Sequence, residues 1–301
     1  MPCYFPLECW RVEGQTKLVF NKPRRDELER LQVPCGQCIG CRLERSRQWA
    51  IRCIHEASLW PSNCFITLTY SPEHLPPNGS LRLRDFQLFM KRLRKKYGDG
   101  IRFFHCGEYG SKFSRPHYHA CLFNFNFPDR KLWQINNGVS LFRSASLEEL
   151  WPYGYSTVGD VTFESAAYVA RYVLKKVTGD SASDHYSFVD PDGLVCSRTP
   201  EYVTMSRRPG IAAGWYDKYS ADVYPADKVV VRGKAQRPPR FYDNRLKLSA
   251  PLDYEEILHG RWLTCQKSLD NSTAERLAVR HEVKLQHLSK LMRKYEDTDD
   301  G

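Results

Sequence analysis

The chain has 301 residues, 42% of them hydrophobic and 13% aromatic, with 45 Lys and Arg against 35 Asp and Glu for a formal net charge of +10. That length holds one large domain or two small ones, the apolar content suits a folded globular protein, and the basic excess favours a polyanionic partner such as nucleic acid. No run reaches the ~18 apolar residues of a membrane-spanning helix and MPCYFPLECWRVEG has no secretory pattern, so the eleven cysteines are expected as reduced thiols or metal ligands.

Residues 1–60 start irregular and turn helical from about Gly40 to Leu59. Cys64 to Tyr70, CFITLTY, alternates and is rich in β-formers, which predicts a strand. SPEHLPPNGS is a turn-rich loop. Leu83 to Tyr97 carries Leu83, Phe86, Phe89, Met90 and Leu93 at helical spacing. Ile101 to Glu108 and His117 to Asn124 read as strands joined by YGSKFSRP, followed by a short helix from about Ser146 to Leu150 and a strand near Tyr155 to Phe163. A helix from Glu164 to Val177 is closed by Gly179.

This order predicts an α+β fold of ferredoxin-like type, an antiparallel sheet with helices packed on it. Residues 180–250 are rich in Pro, Gly and Tyr, and Ser272 to Tyr295 reads as one helix. Four segments result: a Cys-containing N-terminal part at 1–60, a core at 61–180, a basic, aromatic-rich extension at 181–250 and a helical segment at 251–301.

In RPHYHACLF, His117 and His119 stand two apart, so a strand projects both from one face. They are either a solvent-facing pair or metal ligands. Glu108, at the end of the neighbouring predicted strand, is the candidate third ligand for Mg²⁺ or Mn²⁺, with His105 as second choice. On the helix ESAAYVARYVLKK, Tyr168, Tyr172, Lys175 and Lys176 fall on one stripe with Arg171 beside it. Ala166, Ala167, Val169, Ala170, Val173, Leu174 and Val177 take the other side. The stripe is either a solvated face or the nucleophile and cations of phosphodiester attack, in which Lys175 assists a tyrosinate.

FITLTY, PHYHACLF and YVARYVLKK, in that order, resemble the three motifs of HUH-type single-strand endonucleases, with Tyr118 as the bulky middle residue. With VPCGQCIGCR and MSRRPGIAAGWYDKY, the chain is similar, more narrowly, to replication initiators of the microviruses, gokushovirus group. The resemblance implies a nickase that starts rolling-circle replication and stays joined to a 5′ end through phosphotyrosine. Carried over by motif, His117, His119 and the upstream Glu108 would bind metal, Tyr168 and Tyr172 would attack, and Lys175 would assist. It also implies a single-stranded or supercoiled DNA origin as partner, the cytoplasm of a bacterial host, and host helicase and polymerase, since the chain has no G-x-x-x-x-G-K-[ST] ATP loop. A non-enzymatic zinc-containing nucleic-acid-binding protein, or an HUH transposase or relaxase, is the alternative.

CGQCIGC spaces Cys35, Cys38 and Cys41 for a structural zinc, with Cys3 as first choice of fourth ligand and Cys9 or Cys53 in reserve. Free thiols and an iron–sulfur cluster stay open, although the next cluster position is Arg45. Arg115, Arg171, Lys176, Arg237 and Arg240 are the candidate DNA-binding cations, with Phe241 and Tyr242 able to stack on bases.

Overall fold

The computed structural model describes residues 3–11, 18–21, 29–110, 114–136, 138–171, 176–177, 182–189 and 192–289. Contacts divide the chain into two units. The described residues up to Arg45 and from Leu252 onward form one, and Ser46–Pro251 the other. In the first, β1 (Leu7–Arg11) pairs antiparallel with β2 (Leu18–Val19) and β3 (Glu29–Val33). Helix α1 (Ile39–Ala57) starts there and continues into the second unit.

The second unit runs through β4 (Asn63–Tyr70), α2 (Leu83–Tyr97), β5 (Arg102–Tyr109), β6 (Pro116–Phe123), β7 (Lys131–Asn136), β8 (Val139–Arg143), α3 (Ala145–Leu150), β9 (Gly154–Gly159) and α4 (Phe163–Arg171). It continues with α5 (Ala182–Tyr186), β10 (Ser187–Val189), β11 (Val195–Ser197), β12 (Tyr202–Met205), α6 (Ala213–Val223), β13 (Val229–Val231), β14 (Lys234–Gln236) and α7 (Arg240–Ser249). The first unit then closes with α8 (Pro251–Gln266) and α9 (Ala274–Ser289).

The main sheet has the order β12-β5-β6-β4-β9-β8-β7. Its centre, β5-β6-β4-β9, is antiparallel throughout and has the strand order of a ferredoxin-like β-α-β-β-α-β unit. Alternation along these strands makes two different faces. One carries Ile66, Leu68, Tyr118, Ala120 and Leu122, buried with Phe86, Phe89, Met90 and Leu93 of α2 and Leu147 and Leu150 of α3. Each such Leu, Ile, Phe or Met side chain contributes about 1.5–3 kcal/mol by leaving water, so Leu93→Ala should cost about 2–5 kcal/mol. Tyr118 is tied on this face: its hydroxyl accepts from Arg82 N at 2.8 Å and lies 2.9 Å from the Tyr70 hydroxyl, which donates to Asp85.

The other face is covered by α1, whose Trp49 stacks on Phe104 of β5 at 4.8 Å, and by α4, whose Tyr168 meets Phe65 of β4. A reciprocal cap starts α4. Thr162 N donates to Ser165 Oγ and Ser165 N to Thr162 Oγ1, at 2.8 and 3.1 Å.

Several expectations are corrected. The strand expected to Phe163 ends at Gly159, because Thr162 and Ser165 cap a helix there. The helix expected to Val177 is described to Arg171, and Lys176 and Val177 are not helical. The final helix starts at Ala274, and its expected end falls outside the described residues. The stretch 180–250, read as lacking a long period, supplies a strand of the main sheet and two helices of more than eight residues.

Candidate active site

Strand register builds the site. Glu108 of β5 pairs with His117 of β6, which pairs with Thr69 of β4; Cys106, His119 and Thr67 form the next row. With one residue between the rows, all six side chains stand on the face covered by α1 and α4. Glu108, His117 and His119 are each no more than 1% exposed. Glu108 Oε1 lies 2.8 Å from His119 Nε2. Thr69 Oγ1 lies 2.9 Å from His117 Nδ1 and Thr67 Oγ1 3.0 Å from His119 Nδ1. At His117, a hydroxyl that accepts from Nδ1–H leaves the Nε2 lone pair for a cation, which is how supporting groups prepare imidazole ligands; at His119, Nε2 faces the Glu108 carboxylate, and an ion between them would replace that contact. Gly110 completes the cradle: a Cβ there would come within 2.8 Å of His117 Nε2.

Two imidazoles and a carboxylate, buried together, are a donor set for a divalent cation, and the mixed nitrogen and oxygen character suits Mn²⁺ better than Mg²⁺. The imidazole centres are 6.4 Å apart, so closing on one ion requires a small convergence of the side chains. His105 is excluded as the third ligand. It stands on the opposite face, stacked on Phe86 at 3.4 Å with Nδ1 2.9 Å from Thr204 Oγ1, and burial holds its pKa well below the ordinary value. The sequence reading missed Thr67, Thr69 and Gly110. The alternate threonines of FITLTY, facing the alternate histidines, were the available signal.

Tyr168 lies over this face, its ring edge-on to His119 with centres 5.1 Å apart. It is only 5% exposed and shares its burial with Ser165, Ala166, Val169 and Ala170, so the expectation that it stands opposite the apolar side is corrected. The buried arc is wider than one apolar stripe because α4 is also held from a second side, where Ser46 Oγ of α1 donates to Ala167 O. Tyr172 and Lys175 lie outside the described residues, as does the side chain of Arg171.

Of the candidate DNA-binding cations, Lys176, Arg237 and Arg240 are exposed and Arg115 is half-buried before β6. Tyr242 is corrected as a base-stacking residue: it is fully buried, with its hydroxyl 2.7 Å from His55 Nδ1. Phe241 already carries the Arg52 guanidinium 3.9 Å from its ring centre.

In the first unit, Cys3, Cys35, Cys38 and Cys41 come together with their sulfurs all within 4.8 Å of one another. Among the described residues they are the one group of three or more thiol, imidazole or carboxylate donors that close. Cys9 and Cys53, the reserve ligands, are buried elsewhere, Cys53 beside Cys121.

The model of the replication-associated protein ORF2/G2P family matches residues 63–177. The chain is 35% identical over 266 residues to replication-associated protein VP4 of Bdellovibrio phage phiMH2K, across 85% of this chain and 80% of that protein. It is 31% identical over 271 residues to replication-associated protein ORF2 of Spiroplasma virus 4, across 82% and 81%. Replication-associated protein ORF4 of Chlamydia phage 1 is 30% identical over 233 residues, across 74% of this chain and 55% of that protein. No solved structure matches the chain.

Proposed function

This chain belongs to the family of phage replication-associated proteins, and on that premise we propose that it initiates genome replication as a metal-dependent, HUH-type DNA nicking and joining enzyme. The observation that carries the reading is the buried row of Glu108, His117 and His119 with Tyr168 over it. Burying a carboxylate beside two imidazoles is costly unless charge is compensated, and a cation supplies that compensation. Glu108, His117 and His119 would hold the ion, and the two threonines fix the rings. The ion would supply Lewis-acid polarisation of a phosphodiester and offset charge that develops on it.

Tyr168 is one nucleophile. Its phenol loses a proton, its oxygen forms a bond to the scissile phosphorus, and the bond from phosphorus to the 3′ oxygen breaks. The 3′ oxygen takes a proton and leaves as a free hydroxyl, from which a host polymerase extends. The phosphotyrosine on the 5′ end conserves the bond energy, so rejoining needs no ATP. Tyr172, four positions on in the sequence, performs the second cut once Tyr168 is occupied, and Lys175 offsets the charge on the attacking oxygen. Arg115, Arg171, Lys176, Arg237 and Arg240 contact phosphates along the strand. A host helicase supplies unwinding.

The test is incubation of the full chain with a candidate single-stranded origin and Mn²⁺, without nucleotide, followed by denaturing electrophoresis for a covalent adduct. Wild type, Tyr168→Phe and Tyr172→Phe should each form one adduct, and the double variant none. Retention of the adduct by the double variant would remove both tyrosines from the mechanism. Tight DNA binding with no adduct under any divalent cation would favour the non-enzymatic alternative.

A further inference from the structure

The described part of the first unit buries few apolar side chains. Among its described residues the buried apolar side chains are Cys3, Cys9, Ile257 and Leu277, two of them cysteines. Phe5, Leu7, Leu258, Trp262, Leu263, Val279 and Val283 of the same unit are exposed. A core that small does not offset the chain entropy lost on folding, and natural domains in that position are stapled by disulfides or metals.

The thiols are arranged for a metal. A tetrahedral zinc with bonds of about 2.3 Å sets its sulfurs about 3.8 Å apart. The sulfurs of Cys38 and Cys3 are 4.0 Å apart, too far for a disulfide and near the zinc value. An iron–sulfur cluster would hold the sulfurs farther apart, because several atoms lie between them. Backbone amides already point at the sulfurs: Cys38 N donates to Cys35 Sγ at 3.2 Å, Cys35 N to Cys3 Sγ at 3.3 Å and Tyr4 N to Cys38 Sγ at 3.4 Å. Such donors stabilise thiolates, and they need a chain that turns back on itself. Gly36, at φ +75, makes that turn between the first two cysteines. Arg45 reaches back to the turn, its guanidinium 3.8 Å from where a Gly36 Cβ would stand.

We propose that Cys3, Cys35, Cys38 and Cys41 bind one Zn²⁺ that takes the place of a hydrophobic core in this unit, so that its folding is coupled to the metal while the seven-stranded sheet folds without it. The zinc ties the N-terminal segment to the start of α1. Its order extends to α9, because Tyr4 and Phe5, next to Cys3, pack their rings on His281 at 5.4 and 4.9 Å.

Elemental analysis of the full chain, purified without added zinc, should find about one zinc per chain. The Cys38→Ser/Cys41→Ser variant should lose about tenfold of it, and Cys265→Ser, an exposed thiol of α8, should keep it. Hydrogen exchange should be faster in that double variant over β1, β3 and α9 and unchanged over β4 and β6. Wild type that is folded and metal-free, or that carries iron in place of zinc, overturns the proposal. So does a double variant that keeps its zinc, or one whose exchange is unchanged in β1, β3 and α9. These readouts contain no DNA and no Mn²⁺, so they stand or fall separately from the nicking chemistry.

Discussion

Replacing Thr69 by valine removes one hydroxyl and barely alters the shape of the side chain. That hydroxyl lies 2.9 Å from His117 Nδ1, both groups are buried, and the β4–β6 pairing they sit on uses backbone atoms only. The sheet should therefore survive. The loss of one buried hydrogen bond costs about 1–3 kcal/mol. On a metal ligand, losing the supporting group lowers affinity about 10–100-fold, or roughly 1.4–2.7 kcal/mol. In a Mn²⁺ titration of origin nicking, the half-saturating concentration for Thr69→Val should rise by about that factor, with a near-normal rate at saturation and unchanged DNA binding. Thr204→Val is the matched control. It removes the same kind of bond, 2.9 Å to His105 Nδ1, from the opposite face, and should leave the Mn²⁺ dependence alone. An unmoved titration in Thr69→Val, or an equal shift in Thr204→Val, would refute the assignment of His117 as a metal ligand.

Gly110→Ala places a Cβ 2.8 Å from His117 Nε2, so the ring must move; cleavage should fall at least tenfold while overpacking costs about 1–3 kcal/mol, and a wild-type rate would show that the cradle is not used. Burial pulls the His55 pKa from the ordinary 6.5 down to about 4. The unfolded chain gains a proton near 6.5 that the folded one refuses until about 4, so stabilisation is complete above pH 6.5 and roughly 3 kcal/mol is lost as pH falls toward 4. His55→Gln should flatten the melting temperature over that window, and an unchanged slope would refute it. Arg237→Ala and Arg240→Ala should each reduce the slope of log affinity against log salt by about 0.7 on single-stranded DNA; unchanged slopes would take both off the DNA path. Their backbone bonds, Arg47 to Arg237 O and Arg240 N to Gln48, survive truncation.

The parts of the fold readable in advance were those with strong local periods. The α2 pattern runs over Leu83–Tyr97 as expected, because its apolar residues lie on one side, facing the sheet and α3 together. Alternation put His117 and His119 on one face without knowledge of the partner strands, and the assumption of a hairpin brought Glu108 to the same face, as the Glu108–His117 pairing shows. The β7–β8 hairpin was not seen, since Leu132, Trp133 and Ile135 of β7 are exposed and β7 shows no inside–outside alternation. Strand β12 is four residues long and is made by pairing with β5, nearly a hundred positions earlier, which no local window contains. Tyr168 was misjudged because a helical wheel gives one apolar side, whereas α4 is packed against the sheet and against α1. Tyr242 looked like an exposed aromatic among arginines, but α7 turns it inward onto His55.

Tyr118 stands between the two histidines and points into the core on the other face of the sheet. A strand that slides by one position exchanges its faces, and on β6 that slip would put a phenol where two imidazoles stand. Tyr118 makes the slip expensive: its hydroxyl is held by Arg82 N and by the Tyr70 hydroxyl, neither of which a shifted strand would meet. A side chain on the far face thus acts as the index pin of the strand that carries both histidines, and their spacing is checked from the other side of the sheet.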